Sequence, residues 1–354
     1  MSKIIIAGAG GAPSENVIRS LIEGDRNHEV IGMGSEPMDL MMSRAAKKYF
    51  IPYAVDKKYR NALLKVLNDE KADLVHFQND FEIREASRMR EDIISTGTKI
   101  YMPSKETIET CVDKSKSSLI WGKEGIKIPK TIVVNNESDL KEAFETLGNK
   151  DGKIWIRAAE GGGGKGALPA DNYDFAKIWI DRFNGWGKFT AAELLSNNTV
   201  TWLSIWHEGE LVVAQTRKRN SWNFGNRTLS GVTGITRVGE TYSDETVNRV
   251  AFDSILSIDK KPHGIYGVDM TYDFNGFPNP TEINISRFFT TIYFFTKAGL
   301  NMPKIFTDIA LYNKFPDLTN KINPLPDGLL WIRGMDREPL LTTNEEIKNS
   351  IIEV

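Results

Sequence analysis

IYGVDMTYDFNGFPNPTEINISR, residues 265–287, reads as two strands, 265–273 and 280–285, joined by a turn through FNGFPN. Side chains two apart on a strand share a face. Glu282 and Asn284 therefore point together, with Ile283 and Ile285 on the opposite side. Across the turn, Asp269 shares a face with Gly267 and Thr271, opposite Val268 and Met270. Two carboxylates and an amide oxygen can so converge on one small volume. Hard oxygen ligands in that arrangement suit Mg²⁺, which takes one or two carboxylates plus substrate phosphates. For the hairpin alone, a solvated polar strand face is an equal alternative.

Upstream, KIWIRA (153–158) runs into EGGGGKGAL (160–168). Gly161, Gly162, Gly163 and Gly164 can expose backbone N–H groups to phosphate oxygens, and Lys165 adds a cation. On the preceding strand Lys153, Trp155 and Arg157 share one face, so both cations can approach the same phosphates. The run lacks the GK[ST] end of a P-loop. A flexible surface turn is the bland alternative.

Outward from these stretches, the first hundred residues alternate strands at 3–7, 29–33, 73–77 and 99–101 with helical patterns, the rhythm of a doubly wound parallel sheet. Ser104 after Pro103 caps a helix, and a helix-like segment follows from Cys111 to Gly125. Helices are expected at 138–147, 173–183 and 243–258, and strands at 188–194, 199–206 and 211–216. Residues 217–240, rich in Gly and Arg without clear periodicity, read as a long functional loop. Trp222 and Phe224 are expected to anchor that loop in the core. LLWIRGMDREPLL (329–341) reads as a last hairpin.

The 354 residues suffice for two or three packed units. A net charge of −2 gives no global reason to expect nucleic acid or an anionic membrane. No signal-peptide pattern and no apolar run of ~20 residues is present, so a cytoplasmic protein is expected. The single cysteine, Cys111, excludes an internal disulfide and reads as a buried thiol. His28, His76, His207 and His263 show no metal-ligand spacing.

In their order along the chain, these motifs resemble the ATP-grasp superfamily over residues 1–310, most closely one synthetase half of the carbamoyl-phosphate synthetase large chain. The resemblance implies an α/β ATP-grasp fold with an N-terminal Rossmann-like pre-ATP-grasp domain (1–112), a linker helix and lid subdomain (113–195), and a C-terminal antiparallel sheet (196–354). Asp113-Lys114 matches the family's Asp-basic pair before the grasp domain, and Arg157 the basic residue ahead of the lid loop. Glu193 in TAAELL matches the hinge glutamate, with backbone at Leu194 and Leu195 meeting the adenine. Asp269, Glu282 and Asn284 match the metal ligands.

Two departures stand out. SNNTVTW (196–202) has no carboxylate where relatives often place a ribose ligand. Arg287 lies three beyond Asn284 rather than two. The resemblance implies ATP and Mg²⁺ (or Mn²⁺) as cofactors, and a carboxylate activated as an acyl phosphate for attack by an amine. Asn284 and Arg287 would be catalytic, and Lys114, Lys153, Arg157, the glycines, Lys165 and Glu193 would hold ATP. Partners would be a small-molecule carboxylate and amine, with a homodimer as the suggested assembly.

Arg219 and Arg237, in the 217–240 loop, are the candidates for substrate binding, since arginine suits bidentate carboxylate recognition. For each alone, a solvated basic loop is the commoner alternative. An NAD(P)-dependent oxidoreductase would rest on Gly8, Gly10 and Gly11 with Glu36, but Pro13 stands where the fingerprint needs its third glycine. A catalytically silent ATP-binding regulatory protein is the third class, favoured only by the missing ribose carboxylate.

Overall fold

The first strand, SKIIIA (β1, Ser2–Ala7), is apolar on both faces, and Ile4, Ile5 and Ile6 are all buried. Such a strand needs layers on both sides of its sheet. It pairs in parallel with β2 (His28–Gly34) and β4 (Leu74–His76), which pair with β3 (Lys47–Phe50) and β5 (Lys99–Ile100). The order β3-β2-β1-β4-β5 reverses at β1 and β4, so a crevice opens beyond the carboxyl ends of those strands. The edge strand β3, KKYF, is largely exposed and gave no apolar signal to read. This computed structural model describes residues 1–24, 28–159, 166–335 and 338–350.

A second sheet is antiparallel, in the order β6-β9-β7-β8, from β6 (Thr131–Val134), β7 (Ile154–Ala158), β8 (Leu168–Ala170) and β9 (Phe189–Glu193). Ile154, Ile156 and Ala191 pack under the helices Glu137–Leu147 and Tyr173–Arg182, around Leu140, Ala143 and Ile180. Asn136 and Asn172 cap those helices by accepting backbone N–H bonds. Alternation then turns Trp155 and Arg157 to the uncovered face.

The third sheet has seven antiparallel strands: β10 (Thr199–His207), β11 (Glu210–Trp222), β12 (Thr236–Thr241), β13 (Gly264–Tyr272), β14 (Pro278–Ile285), β15 (Leu330–Ile332) and β16 (Leu340–Thr342). Their order is β14-β13-β10-β11-β12-β15-β16, and the expected last hairpin forms the far edge. One face carries Trp202, Trp206, Val268 and Ile283 against Val247, Ala251 and Ile255 of the helix Glu245–Ile258. The other face buries Leu203, Ile205 and Ile265 with Phe288, Phe294 and Phe306, and farther along carries Thr201, Arg217, Asp269 and Glu282.

Two expectations change. The helix-like stretch after Cys111 breaks at Asp113, whose carboxylate accepts from Ser115 and Lys116 and starts a new helix, Lys114–Lys123. Trp121 of that helix is fully buried and donates to the Ser254 carbonyl at 3.0 Å. The loop expected over 217–240 is shorter, because β11 runs on to Trp222 and β12 resumes at Thr236. Charge hid the strand. Arg217 and Arg219 alternate inward, where threonine hydroxyls replace the water they would lose.

Candidate active site

The hairpin register sets the centre of the site. Asp269 stands opposite Glu282 and Gly267 opposite Asn284, with a bulge just after Asp269 that absorbs Thr281. Asp273 shapes the turn by accepting from Asn275 N and Phe277 N, each at 2.9 Å. Asn284 Nδ2 lies 3.0 Å from Asp269 Oδ2, so the three expected ligand side chains meet. Among the described residues no three His, Cys, Asp or Glu side chains cluster, and the oxygen set is two carboxylates and an amide. That donor set fits Mg²⁺ with phosphate completing the shell, once the Asn284 amide turns its oxygen inward.

Cations surround the carboxylates. Lys114 Nζ, at the first turn of its capped helix, lies 3.0 Å from Glu282 Oε2. Arg157 comes across from the second sheet and donates to the Thr281 carbonyl at 3.2 Å. Burial alone would raise the Glu282 carboxyl, but Lys114, Arg157 and Arg287 outweigh it and hold it at about 2. Burial lowers the guanidinium of Arg157, and the Glu282 charge offsets part of that.

The third sheet adds two more guanidinia. Arg217 donates to Thr201 and Thr291, at 2.8 and 2.7 Å, and lies over the Phe289 ring at 4.3 Å. Arg219 donates to Thr199 and Thr236, stacks on Trp222 at 3.9 Å, and lies 3.8 Å from Asp269. Thr201 joins the two charge types by donating to Asp269 while accepting from Arg217.

Arg287 completes the ring from the loop after β14. Ser286 has φ +57, and this left-handed step takes up the extra residue between Asn284 and the arginine. Arg287 then pairs with Asp80, Nε to Oδ1 3.0 Å, at the start of the helix Asp80–Arg88. Asp269, Glu282, Asn284, Arg217, Arg219, Arg287 and Asp80 line one cleft of about 1110 Å³ between the three sheets, with Gln78 and Asn79 on its N-terminal wall. A recess of about 380 Å³ lies beside it, sharing Ser115 and Val133 and lined by Lys114, Arg157, Leu119 and Ile128.

No family model matches the chain, and neither does any curated protein. Solved structures do. Carboxyaminoimidazole synthetase from Staphylococcus aureus, complexed with ADP, superposes at a TM-score of 0.69 with 15% identity, covering 94% of this chain and 82% of that one. L-amino acid ligase from Bacillus licheniformis does so at 0.68 with 11% identity, over 94% and 79%. The biotin carboxylase domain dimer of Hydrogenobacter thermophilus 2-oxoglutarate carboxylase, with MgADP, ADP and bicarbonate, gives 0.67 with 16% identity, over 94% and 73%. The chain has the ATP-grasp fold.

Within the ATP-grasp fold, the other expected site residues divide. Glu193 ends β9 and its carboxylate accepts from the Lys130 amide at 3.0 Å, beside the smaller recess. Leu194 and Leu195 follow it, half-buried. Lys153 precedes β7 and is absent from the lining of both cavities. Gly161, Gly162, Gly163, Gly164 and Lys165 lie outside the described residues. Arg237 is exposed and does not join Arg219, because β12 turns Thr236 inward instead. Trp222 walls the cleft rather than anchoring a loop in the core, and Phe224 is exposed.

The N-terminal glycine turn is closed to a dinucleotide. A Cβ on Gly10 would sit 1.9 Å from the Asp39 carbonyl oxygen, so the backbone there is already packed. The Gly10 N–H is taken by Glu15 Oε1 at 3.0 Å, where a pyrophosphate would have to bind. Cys111 and His76 are buried, and burial lowers His76 to about 4. Among the described residues no helix is long and apolar enough to cross a membrane.

Signals for the strand that carries Arg217 and the expected Arg219, and for the missed Asp80, were present. Arg217 and Arg219 alternate with period two opposite Thr199 and Thr201, which marks a strand face. Asp80 follows Asn79, whose side chain accepts from Glu82 N and marks a helix start.

Proposed function

We propose that the chain is an ATP- and Mg²⁺-dependent ligase that phosphorylates a carboxylate and passes the acyl phosphate to an amine, releasing ADP and phosphate. The carrying observation is the convergence of Asp269, Glu282, Asn284 and Arg287 on one cleft of about 1110 Å³, with Lys114 set against Glu282 and Arg157 against the Thr281 carbonyl. Two carboxylates flanked by Lys114, Arg157 and Arg287 suit a polyanion together with a divalent ion.

Asp269, Glu282 and Asn284 would hold Mg²⁺ or Mn²⁺. The ion would supply charge neutralisation at the phosphate oxygens. Lys114 and Arg157 bind the phosphates from the side, each already placed by its own element. The adenine enters the smaller recess, near Lys130 and the hinge at Glu193, Leu194 and Leu195. Gly161, Gly162, Gly163, Gly164 and Lys165 would cover the terminal phosphates. Phosphoryl transfer asks mainly for positioning and charge stabilisation, and this set of residues offers both.

Arg287, beside Asn284, orients the substrate carboxylate and stabilises the oxyanion when the amine attacks. The three units 1–112, 113–195 and 196–354 act as base, lid and metal-bearing body. What the Staphylococcus aureus and Hydrogenobacter thermophilus proteins are complexed with, ADP and MgADP, supports the nucleotide and the ion. The Bacillus licheniformis ligase supports the bond type.

Thermal unfolding with Mg²⁺ and ATP, against Mg²⁺ with NAD or NADP, tests the nucleotide. A ligand at a hundredfold excess over its dissociation constant adds ~2.7 kcal/mol to stability. A shift that needs both ATP and Mg²⁺ is expected, and a shift with NAD alone overturns the proposal. ADP release that no acid and amine pair stimulates, despite ATP binding, would identify a regulatory protein instead.

A further inference from the structure

Arg217 and Arg219 hold more positive charge than their surroundings offset. Arg217 is 1% exposed, its Nη atoms are spent on the hydroxyls of Thr201 and Thr291, and its Nε has no hydrogen-bond partner. Burial, and then the charge of Arg219, push its guanidinium well below the ordinary value. Arg219 has the hydroxyls of Thr199 and Thr236, with the carboxylate of Asp269 3.8 Å away and that of Glu282 beyond it.

Asp269 is also the residue proposed to hold the metal. With a divalent ion on Asp269 and Glu282, the two buried guanidinia would face the cleft with hydroxyls and the Phe289 and Trp222 rings as their nearest partners. A buried charge left in that state is costly unless an anion meets it.

Geometry limits what that anion can be. Glu282, Asp269, Thr201 and Arg217 lie in register across four neighbouring strands. Strands lie ~4.8 Å apart, and β11 lies two spacings from the strand of Asp269 and three from that of Glu282, with the Arg219 side chain reaching back to 3.8 Å from Asp269. The wall there is Trp222 and Phe289, each already under a guanidinium, with Val232 and Thr236 beside them. A short aliphatic chain between two anionic ends spans that gap.

We infer that Arg217 and Arg219 form an anion subsite that takes a second carboxylate of the acid substrate, making the preferred acids short dicarboxylates. The inference rests on the ligase proposal and deepens it. The same chemistry would suit the terminal phosphate of the nucleotide, so the test separates the two sources.

Thermal unfolding of the full chain is followed with Mg²⁺ and ADP, adding succinate or glutarate, or their one-carboxylate counterparts propionate and butyrate. The acid arms are repeated without nucleotide. Wild type is expected to bind each dicarboxylate at least about tenfold more tightly than its counterpart, the size of one charge-assisted contact. Arg219→Met should abolish that difference, read against the variant's own MgADP midpoint shift, and Arg219→Lys should restore part of it.

Equal binding of mono- and dicarboxylates, or no binding of either, overturns the inference. So does an Arg219→Met variant that loses affinity for ATP but not for ADP, because that assigns the pair to the terminal phosphate. Failure of MgADP to shift the wild-type midpoint fails the nucleotide proposal separately, with the acid arms still readable.

Discussion

Asp269 and Glu282 face each other across the β13–β14 ladder, yet their carboxylates are held by opposite means. Asp269 receives the Thr201 hydroxyl and the Asn284 amide, with Arg219 standing off at 3.8 Å. Glu282 is held by the Lys114 ammonium at 3.0 Å, within the field of Arg157. Asp269 and Glu282 would hold a divalent ion by giving up neutral donors on one side and a cation on the other. On the proposed reading, a metal held by the pair would take the place of Lys114, which would then pair with phosphate.

Glu282→Gln should abolish ADP release, and Asn284→Ala should do the same, with unchanged far-ultraviolet circular dichroism in both. Activity retained in both variants would remove the metal assignment. The pH dependence gives a second reading. The Glu282 carboxyl is lowered in the folded state from 4.5 to about 2, so it contributes stability that is present above 4.5. That contribution is lost as pH falls toward 2, and an acid titration of unfolding should lack it in Glu282→Gln.

Arg157→Ala should weaken ATP binding by roughly ten- to a hundredfold, the value of one charge-assisted hydrogen bond. It also removes the bond to the Thr281 carbonyl that ties the second sheet to β14. Equilibrium titration with a nucleotide checks it, and an unchanged dissociation constant would move the triphosphate elsewhere in the cleft.

How much of this was legible depends on what each segment must bury. The 265–287 hairpin announced itself by period-two alternation, and its facing pairs follow from that alone. The all-apolar β1 likewise has one reading, a strand covered on both faces. RKRNSW in β11 was opaque, because buried arginines look like a solvated loop until the hydroxyls opposite them are placed. The same step misassigned Trp222, which serves as a stacking wall for Arg219. Arg237 differs from Arg219 by strand parity in β12, and no boundary of β12 was visible among the glycines before it. The Asp80–Arg287 pair joins the start of a helix to the loop after β14, 207 residues along the chain, and no local pattern carries that.

Gly10→Ala should fail to fold or lose stability severely, since φ is +91 and the added Cβ meets the Asp39 carbonyl oxygen at 1.9 Å. Gly11→Ala, with ordinary φ and one contact at 3.1 Å to the Gly8 carbonyl oxygen, should be milder. Measuring both by thermal unfolding distinguishes a packed structural turn from a cofactor cradle. A stable Gly10→Ala that binds NAD would return the site to this turn.

Glu82 supplies a pH test away from the metal pair. It is 7% exposed, accepts from the Asn79 side chain and, at 3.4 Å, from the Tyr59 hydroxyl, and burial raises its carboxyl from 4.5 to about 7. The sign follows from proton counts. Between pH 4.5 and 7 the unfolded chain has released this proton while the folded chain keeps it, so stability falls as pH rises through that window. The full loss, reached above pH 7, is on the order of 3 kcal/mol. Glu82→Gln keeps the hydrogen-bonding shape without the ionisation, and should unfold at a higher temperature than wild type at pH 8. The two should converge near pH 4.5. Parallel curves for wild type and variant from pH 4.5 to 8 would show that Glu82 titrates alike in both states and is not the buried acid placed here.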